Sequence, residues 1–308
     1  MLEASQALLW ATTVLILLAR VMSVIAVFTA RTAKTSARQA VKVGAAGAAD
    51  TVTDDFSADS GAAAPAAKNQ PAPRGIAWYG SKLAVLALIL LSASLILRTF
   101  ATGHAPFANH YEFAVSFAWG MILAHVYFEW KYKVRTLALI VLPVILGMLV
   151  YASTLSYEAN PLMPALQNSP LLTIHVFTAA LAYGAAVVAF ASGVMFLLAP
   201  RIKWHGWPKA DTLDELGYKA VIFTFPMLTI MIILGAIWAN IAWGRYWSWD
   251  PKETAALVTW FIYGAYLHAR VVRDWRGRKA AWLLVLGFAA ILFTYFGNLF
   301  FGGLHAYA

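Results

Sequence analysis

Runs of about 18–25 apolar residues recur along almost the whole sequence, each long enough to cross roughly 30 Å of hydrocarbon as a helix. Eight are read, at 7–28, 76–97, 112–130, 136–153, 172–199, 220–242, 254–272 and 281–301. Such a chain has few folds open to it. In lipid every backbone polar group must find its partner inside the protein, which leaves helices or closed barrels. Ten-residue pieces with period-2 alternation, the mark of a barrel, are absent. The fold class is therefore all-α, a polytopic membrane protein with about eight transmembrane helices. Composition agrees: 61% of the 308 residues are apolar, 12% are charged and the mean hydropathy is +0.68. Residues 7–28 are followed, not preceded, by basic residues, so they read as a retained first helix and not as a cleaved signal.

A net charge of +9 would suggest nucleic acid in a soluble protein. Here its distribution points elsewhere, and no nucleic-acid partner is read. Lys and Arg gather in the segments 31–74, 131–135, 201–219 and 270–279, which are alternate connections. The other connections carry only Arg98, Arg245 and Lys252. This is the positive-inside pattern, and it places both termini outside, with the 98–111 and 154–171 loops and the 243–249 segment.

The sequence contains no cysteine, which excludes disulfide, thiolate-metal and thiol-redox chemistry by this chain. Residues 35–74 are rich in Ala, Gly, Ser, Asp and Pro, without an apolar face to offset the entropy of ordering. They read as a disordered cytoplasmic linker between a first transmembrane helix, residues 1–34, and a seven-helix membrane domain, residues 75–308. No internal repeat is found, so an inverted-repeat transporter gains no support.

Seven histidines are the richest source of chemistry: His104, His110, His125, His175, His205, His268 and His305. His205 belongs to a cytoplasmic loop. His104 and His110 fall in the external 98–111 loop. His175 lies about one turn inside the external end of the fifth run, and His305 follows "GG" beyond the external end of the last. His268 lies 14 residues past Thr254, which is ~21 Å toward the cytoplasm at 1.5 Å per residue. Imidazole is the usual protein ligand for haem iron, and bis-His ligation needs two rings facing one site. His175 and His305 could meet over one external site, whereas His268 is too deep for the same iron. The competing reading has each histidine capping a helix or bonding a neighbour, such as Glu129 for His268.

The stretch "AWGRYWSWDPKETAALVTW", residues 242–260, carries Trp243, Tyr246, Trp247 and Trp249, then Asp-Pro-Lys-Glu. An aromatic belt at the headgroup layer explains scattered tryptophans. It does not call for an acidic pair in fixed order. Asp250 suits the N-cap of the next helix and Pro251 its first position, with Glu253 complementing the helix dipole. The aromatic wall is flat and long enough to cover a porphyrin, and Arg245 and Lys252 are the nearby cations able to pair with propionates.

With these residues the sequence resembles the CcsA/ResC family, the integral-membrane WWD-domain proteins of System II cytochrome c biogenesis. "WGRYWSWDPKE" with the downstream "LVTW" matches the WWD signature, and "NHYEFAVSFAWG", "SPLLTIHVFTAALAYGA", "YLHAR" and "NLFFGGLHAYA" agree in order. The System I relative CcmC also carries a WWD segment but lacks the "DPKE" continuation. The resemblance covers the chain from about residue 76 onward.

It implies a haem lyase subunit that moves haem b across the membrane and presents it for thioether attachment. His175 and His305 match the external axial ligands and His268 the intramembrane transit histidine. Trp243, Gly244, Tyr246, Trp247, Trp249, Asp250, Pro251, Glu253 and Trp260 form the WWD haem-binding segment. Ala255 stands where the family usually has another tryptophan, and Ala306 replaces a serine. The implied partners are a CcsB/ResB-type membrane subunit, an apocytochrome c with its Cys-x-x-Cys-His segment, and a thioredoxin-like reductant for that segment's thiols. The implied location is the bacterial cytoplasmic (inner) membrane with the WWD site facing the periplasm, or the plastid thylakoid. A haem exporter or chaperone of CcmC type, without covalent attachment activity, is the alternative.

Overall fold

A computed structural model describes residues 1–47, 75–159, 162, 166–167, 170–202, 204 and 206–305, with side chains only to residue 29 in the first stretch. Eight α-helices follow in order: α1 Leu2–Gly47, α2 Ile76–Thr102, α3 His110–Tyr132, α4 Ala138–Ser153, α5 Pro170–Leu198, α6 Ala210–Trp243, α7 Pro251–Arg273 and α8 Arg278–Phe296. The described residues contain no strand. Seven helices are long and apolar enough to cross a membrane. The eighth, α3, interrupts its apolar run with Glu112, His125 and Glu129, which find partners in Arg98, Ser81 and one another. The chain is thus an all-helical, multi-pass membrane protein.

α1 continues through 35–47, the first part of the stretch expected to be a linker. Its Ala, Arg, Gln and Lys residues are strong helix formers, which outweighs the missing apolar face over that length. Residues 48–74 lie outside the described residues.

α5 is the centre of the bundle. Its "TAALAYGAAVVAFASG" stretch is rich in small residues, so α3, α6 and α8 approach it closely. α7 packs on α8 and α6, which brings the loop entering α7 beside the start of α5 and the segment leaving α8. The outer faces of α1, α2 and α6 remain apolar and exposed, as lipid-facing surfaces must be.

Arg98, counted above as a loop cation, sits inside α2 and is only 1% exposed. Its Nε donates to Glu112 Oε1 at 2.7 Å and its Nη1 to the Tyr157 carbonyl at 2.8 Å. The pair ties α2, α3 and the α4–α5 loop together where α3 begins. Losing one partner would strand a buried charge, at a cost of about 3–5 kcal/mol.

Candidate functional site

The loop between α6 and α7 is built around three backbone devices. Gly244 ends α6 with φ 74, a left-handed conformation that a side chain would strain. Trp249 adopts φ 58, unusual for a bulky residue. The turn is held in that shape by Glu253, whose Oε2 accepts from the amide of Ser248 at 2.8 Å and that of Asp250 at 3.2 Å. Asp250 caps α7, accepting from the Lys252 amide at 2.9 Å with Pro251 in the first turn, and with Glu253 it completes a capping box. The N-cap read from the sequence is the one found.

Above this loop lies an open cavity of about 960 Å³, counting its mouth. It brings together His175 from α5 and His305 from the segment after α8, with Tyr246, Trp247, Lys252 and Glu253. His175 Nδ1 lies 2.7 Å from the Met231 carbonyl in α6. A carbonyl only accepts, so Nδ1 carries the proton and Nε2 the lone pair in the neutral ring. The ring fits there because residue 235 is glycine: a Cβ would come within 2.7 Å of it.

His305 is fixed in another way. Its Nδ1 lies 3.0 Å from Asp250 Oδ1, and its ring stands edge-on to Trp243 with centroids 4.9 Å apart. The carboxylate likewise accepts, so Nδ1 of His305 is the donor. Gly303 allows this passage, since a Cβ there would run into Asp250 Oδ2. Burial alone would raise the Asp250 carboxyl. The hydrogen bonds from His305 and the Lys252 amide outweigh it and hold the group at about 2.

The other expected residues divide. Trp243 stands edge-on to both His305 and Trp238, and Trp238 itself lines the cavity. Trp249 leans on Trp247 but is 70% exposed, and Arg245 is exposed; neither lines the cavity. Trp260 lies deeper on α7, where its Nε1 donates to Thr229 and its ring stacks on Phe225. His268 is exposed on the outer surface of α7 near its far end and joins no cavity described. The suggested bond to Glu129 is not made. Glu129 accepts from Ser81 and lies 3.4 Å from His125 Nε2, which occupies it within α2 and α3. His205 lies outside the described residues.

Sequence reading missed several cavity residues: His110 at the start of α3, Phe113, Tyr183, Gly235 and Trp238. A glycine inside an apolar helix marks a close approach, and at Gly235 the approaching group is the His175 ring.

The donor set suits a haem. Two imidazoles line one cavity, the walls are aromatic, and Trp247 Nε1 is buried without a partner, a donor left for a guest molecule. Lys252 adds a cation to the lining, 5.4 Å from the Phe113 ring centre.

Comparison with known proteins identifies the family. The cytochrome c assembly protein family model matches residues 107–305. The cytochrome c biogenesis protein CcsA of Guillardia theta is 38% identical, over 74% of this chain and 84% of that protein. CcsA of Gloeobacter violaceus is 34% identical, over 74% of this chain and 86% of its own. CcsA of Pyropia yezoensis is 33% identical, over 77% and 89%. With this match, the chain belongs to the CcsA family of cytochrome c assembly proteins, multi-pass membrane proteins of cytochrome c maturation.

Proposed function

We propose that this chain is the haem-transporting and haem-presenting subunit of a cytochrome c haem lyase. The observation that carries the reading is the pairing of His175 and His305 in one aromatic cavity, each ring oriented by an acceptor at its Nδ1. Such a pair holds haem b through both axial positions. Tyr246, Trp247 and Trp238 supply flat apolar walls, with Trp243 and Trp249 behind them. The Trp247 N–H and Lys252 meet the propionates, and Arg245 serves only at the outer edge.

The cavity faces the periplasm, or the equivalent thylakoid side, with both termini on that side. His268 belongs to the route across. Its exposed position suits a site shared with a second membrane subunit of CcsB/ResB type, which would supply the facing ligand. At the cavity, an apocytochrome presents its Cys-x-x-Cys-His segment. Each thiol adds across a vinyl group: sulfur bonds one carbon, hydrogen the other, and no electrons are exchanged. The segment's histidine replaces one axial imidazole. The protein's own contribution is positioning. Because this chain has no cysteine, a thioredoxin-like protein must keep the acceptor thiols reduced. Residues 48–74 connect the first helix to the seven-helix domain without chemistry of their own.

The test is to express the chain with a CcsB-type subunit and an apocytochrome acceptor, and to assay covalent haem. Covalent haem that disappears when either His175 or His305 is replaced supports the reading. Haem delivered outside with no attachment, in the presence of partner and reduced acceptor, would favour an exporter instead.

A further inference from the structure

The two histidines are not equivalent. His305 donates to the carboxylate of Asp250 at 3.0 Å, and His175 donates to a neutral carbonyl, that of Met231, at 2.7 Å. A carboxylate partner pushes electron density through the ring and makes Nε2 a stronger ligand. A helix carbonyl does so much less. Of two bonds to one iron, the one from His175 is the weaker.

Geometry selects the same side independently. A second open groove, about 860 Å³ counting its mouth, runs between the α2–α3 loop and the first turn of α5. His104, Ala105 and Ala108 line one side, and Leu166, Leu172 and Thr173 the other. Leu166 and Leu172 also line the haem cavity, so among the described residues these two side chains border both spaces. Leu172 precedes His175 by three residues and lies one helical turn away on the same face. The groove therefore opens at the His175 side. Its loop wall is built to keep shape: Glu112 Oε2 accepts from the Ala108 amide at 2.6 Å, and Ser116 donates to the Pro106 carbonyl at 3.1 Å.

We infer that the groove beside the first turn of α5 seats the incoming Cys-x-x-Cys-His segment, and that its histidine replaces His175 while His305 stays bound. The exchange breaks one iron–imidazole bond and makes another, and His175 leaves neutral with its Nδ1–H still on the Met231 carbonyl. No proton or electron moves. The inference rests on the proposed haem function and names the side on which that function is carried out.

A peptide of Ser-x-x-Ser-His pattern, unable to form thioethers, tests it spectroscopically. It is titrated into haem-loaded His175→Gly and His305→Gly chains, following the return of the six-coordinate spectrum. The expected result is filling of the His175→Gly vacancy at a concentration about 10-fold lower or better, the scale of such ligand-partner effects. Equal filling, or preference for His305→Gly, overturns the inference.

Should either variant lose haem, a crosslinking rate in the otherwise unaltered chain decides. Ala105→Cys in the groove, or Phe301→Cys on the tail side, provides the chain's single thiol. The probe is a peptide whose cysteine carries a thionitrobenzoate group, which the thiolate displaces with release of colour. Faster release at Ala105→Cys supports the inference; equal or faster release at Phe301→Cys overturns it. The spectrum of the unaltered chain separates the two levels: absence of bound haem contradicts the proposed function, whereas bound haem with the peptide on the His305 side overturns only this inference.

Discussion

His305 Nδ1 and Asp250 Oδ1 lie 3.0 Å apart, joining the segment after α8 to the N-cap of α7 across 55 positions of sequence. One carboxylate thus holds a helix start and a candidate haem ligand at once. Replacing it separates the two tasks. Asp250→Asn keeps an acceptor for the Lys252 amide, so helix stability should change by less than ~1 kcal/mol, while Asp250→Ala loses the cap and about 1 kcal/mol with it. Both should weaken haem retention by about 10–100-fold. Thermal unfolding and haem off-rates, measured on the same preparations, check the split. Equal haem retention in Asp250→Asn would remove the role given to the carboxylate.

Gly235 is expected to be intolerant of any side chain. A Cβ within 2.7 Å of the His175 ring must displace it from the Met231 carbonyl. Gly235→Val should therefore mimic loss of His175: normal protein level, haem retention down by about 10–100-fold, and recovery with added imidazole. Gly235→Val protein that holds haem as the parent does would show that His175 needs no such seat.

Acid should spare the His305–Asp250 contact longer than ordinary carboxylates. The Asp250 carboxyl is lowered from 3.8 to about 2, so the unfolded chain binds its proton first. The stabilisation is fully present above about pH 4 and is lost as pH falls toward 2. Carbon-13 titration of labelled Asp250 in the haem-free protein should place its midpoint well below the ordinary 3.8. A midpoint for Asp250 at or above the ordinary 3.8 would mean that the contact does not form in solution.

His268 is exposed on α7 and shares nothing with the His175–His305 cavity. His268→Ala should lower the haem delivered to the cavity without lowering protein level, and haem added from the cavity side should still bind. Quantifying protein and haem in the same membranes checks this. Normal haem in the variant would end the transit role.

How much of this was legible depends on the range of the interactions. The helices were, because runs such as 172–199 and 220–242 announce themselves by length alone, and α5 and α6 cover them. The cap at Asp250 was, because Asp-Pro followed by Glu is a local pattern. The reading also set His175 and His305 at one end of the bundle by counting turns. What stayed hidden was long-range. Nothing local pairs Arg98 with Glu112, His175 with the Met231 carbonyl, or His305 with Asp250. Arg245 and Lys252 looked alike as loop cations, yet only Lys252 turns toward the cavity. Helical propensity carried α1 through 35–47, where composition argued for a linker.

The most direct test is the absorption spectrum of the chain purified from haem-replete membranes, alongside His175→Ala and His305→Ala. The unaltered chain should carry haem with a low-spin, bis-imidazole spectrum. Each single variant should lose that spectrum and regain it when imidazole is added. An unaltered chain without haem, or two single variants that both keep the unchanged bis-imidazole spectrum, would contradict the claim that these histidines hold one haem.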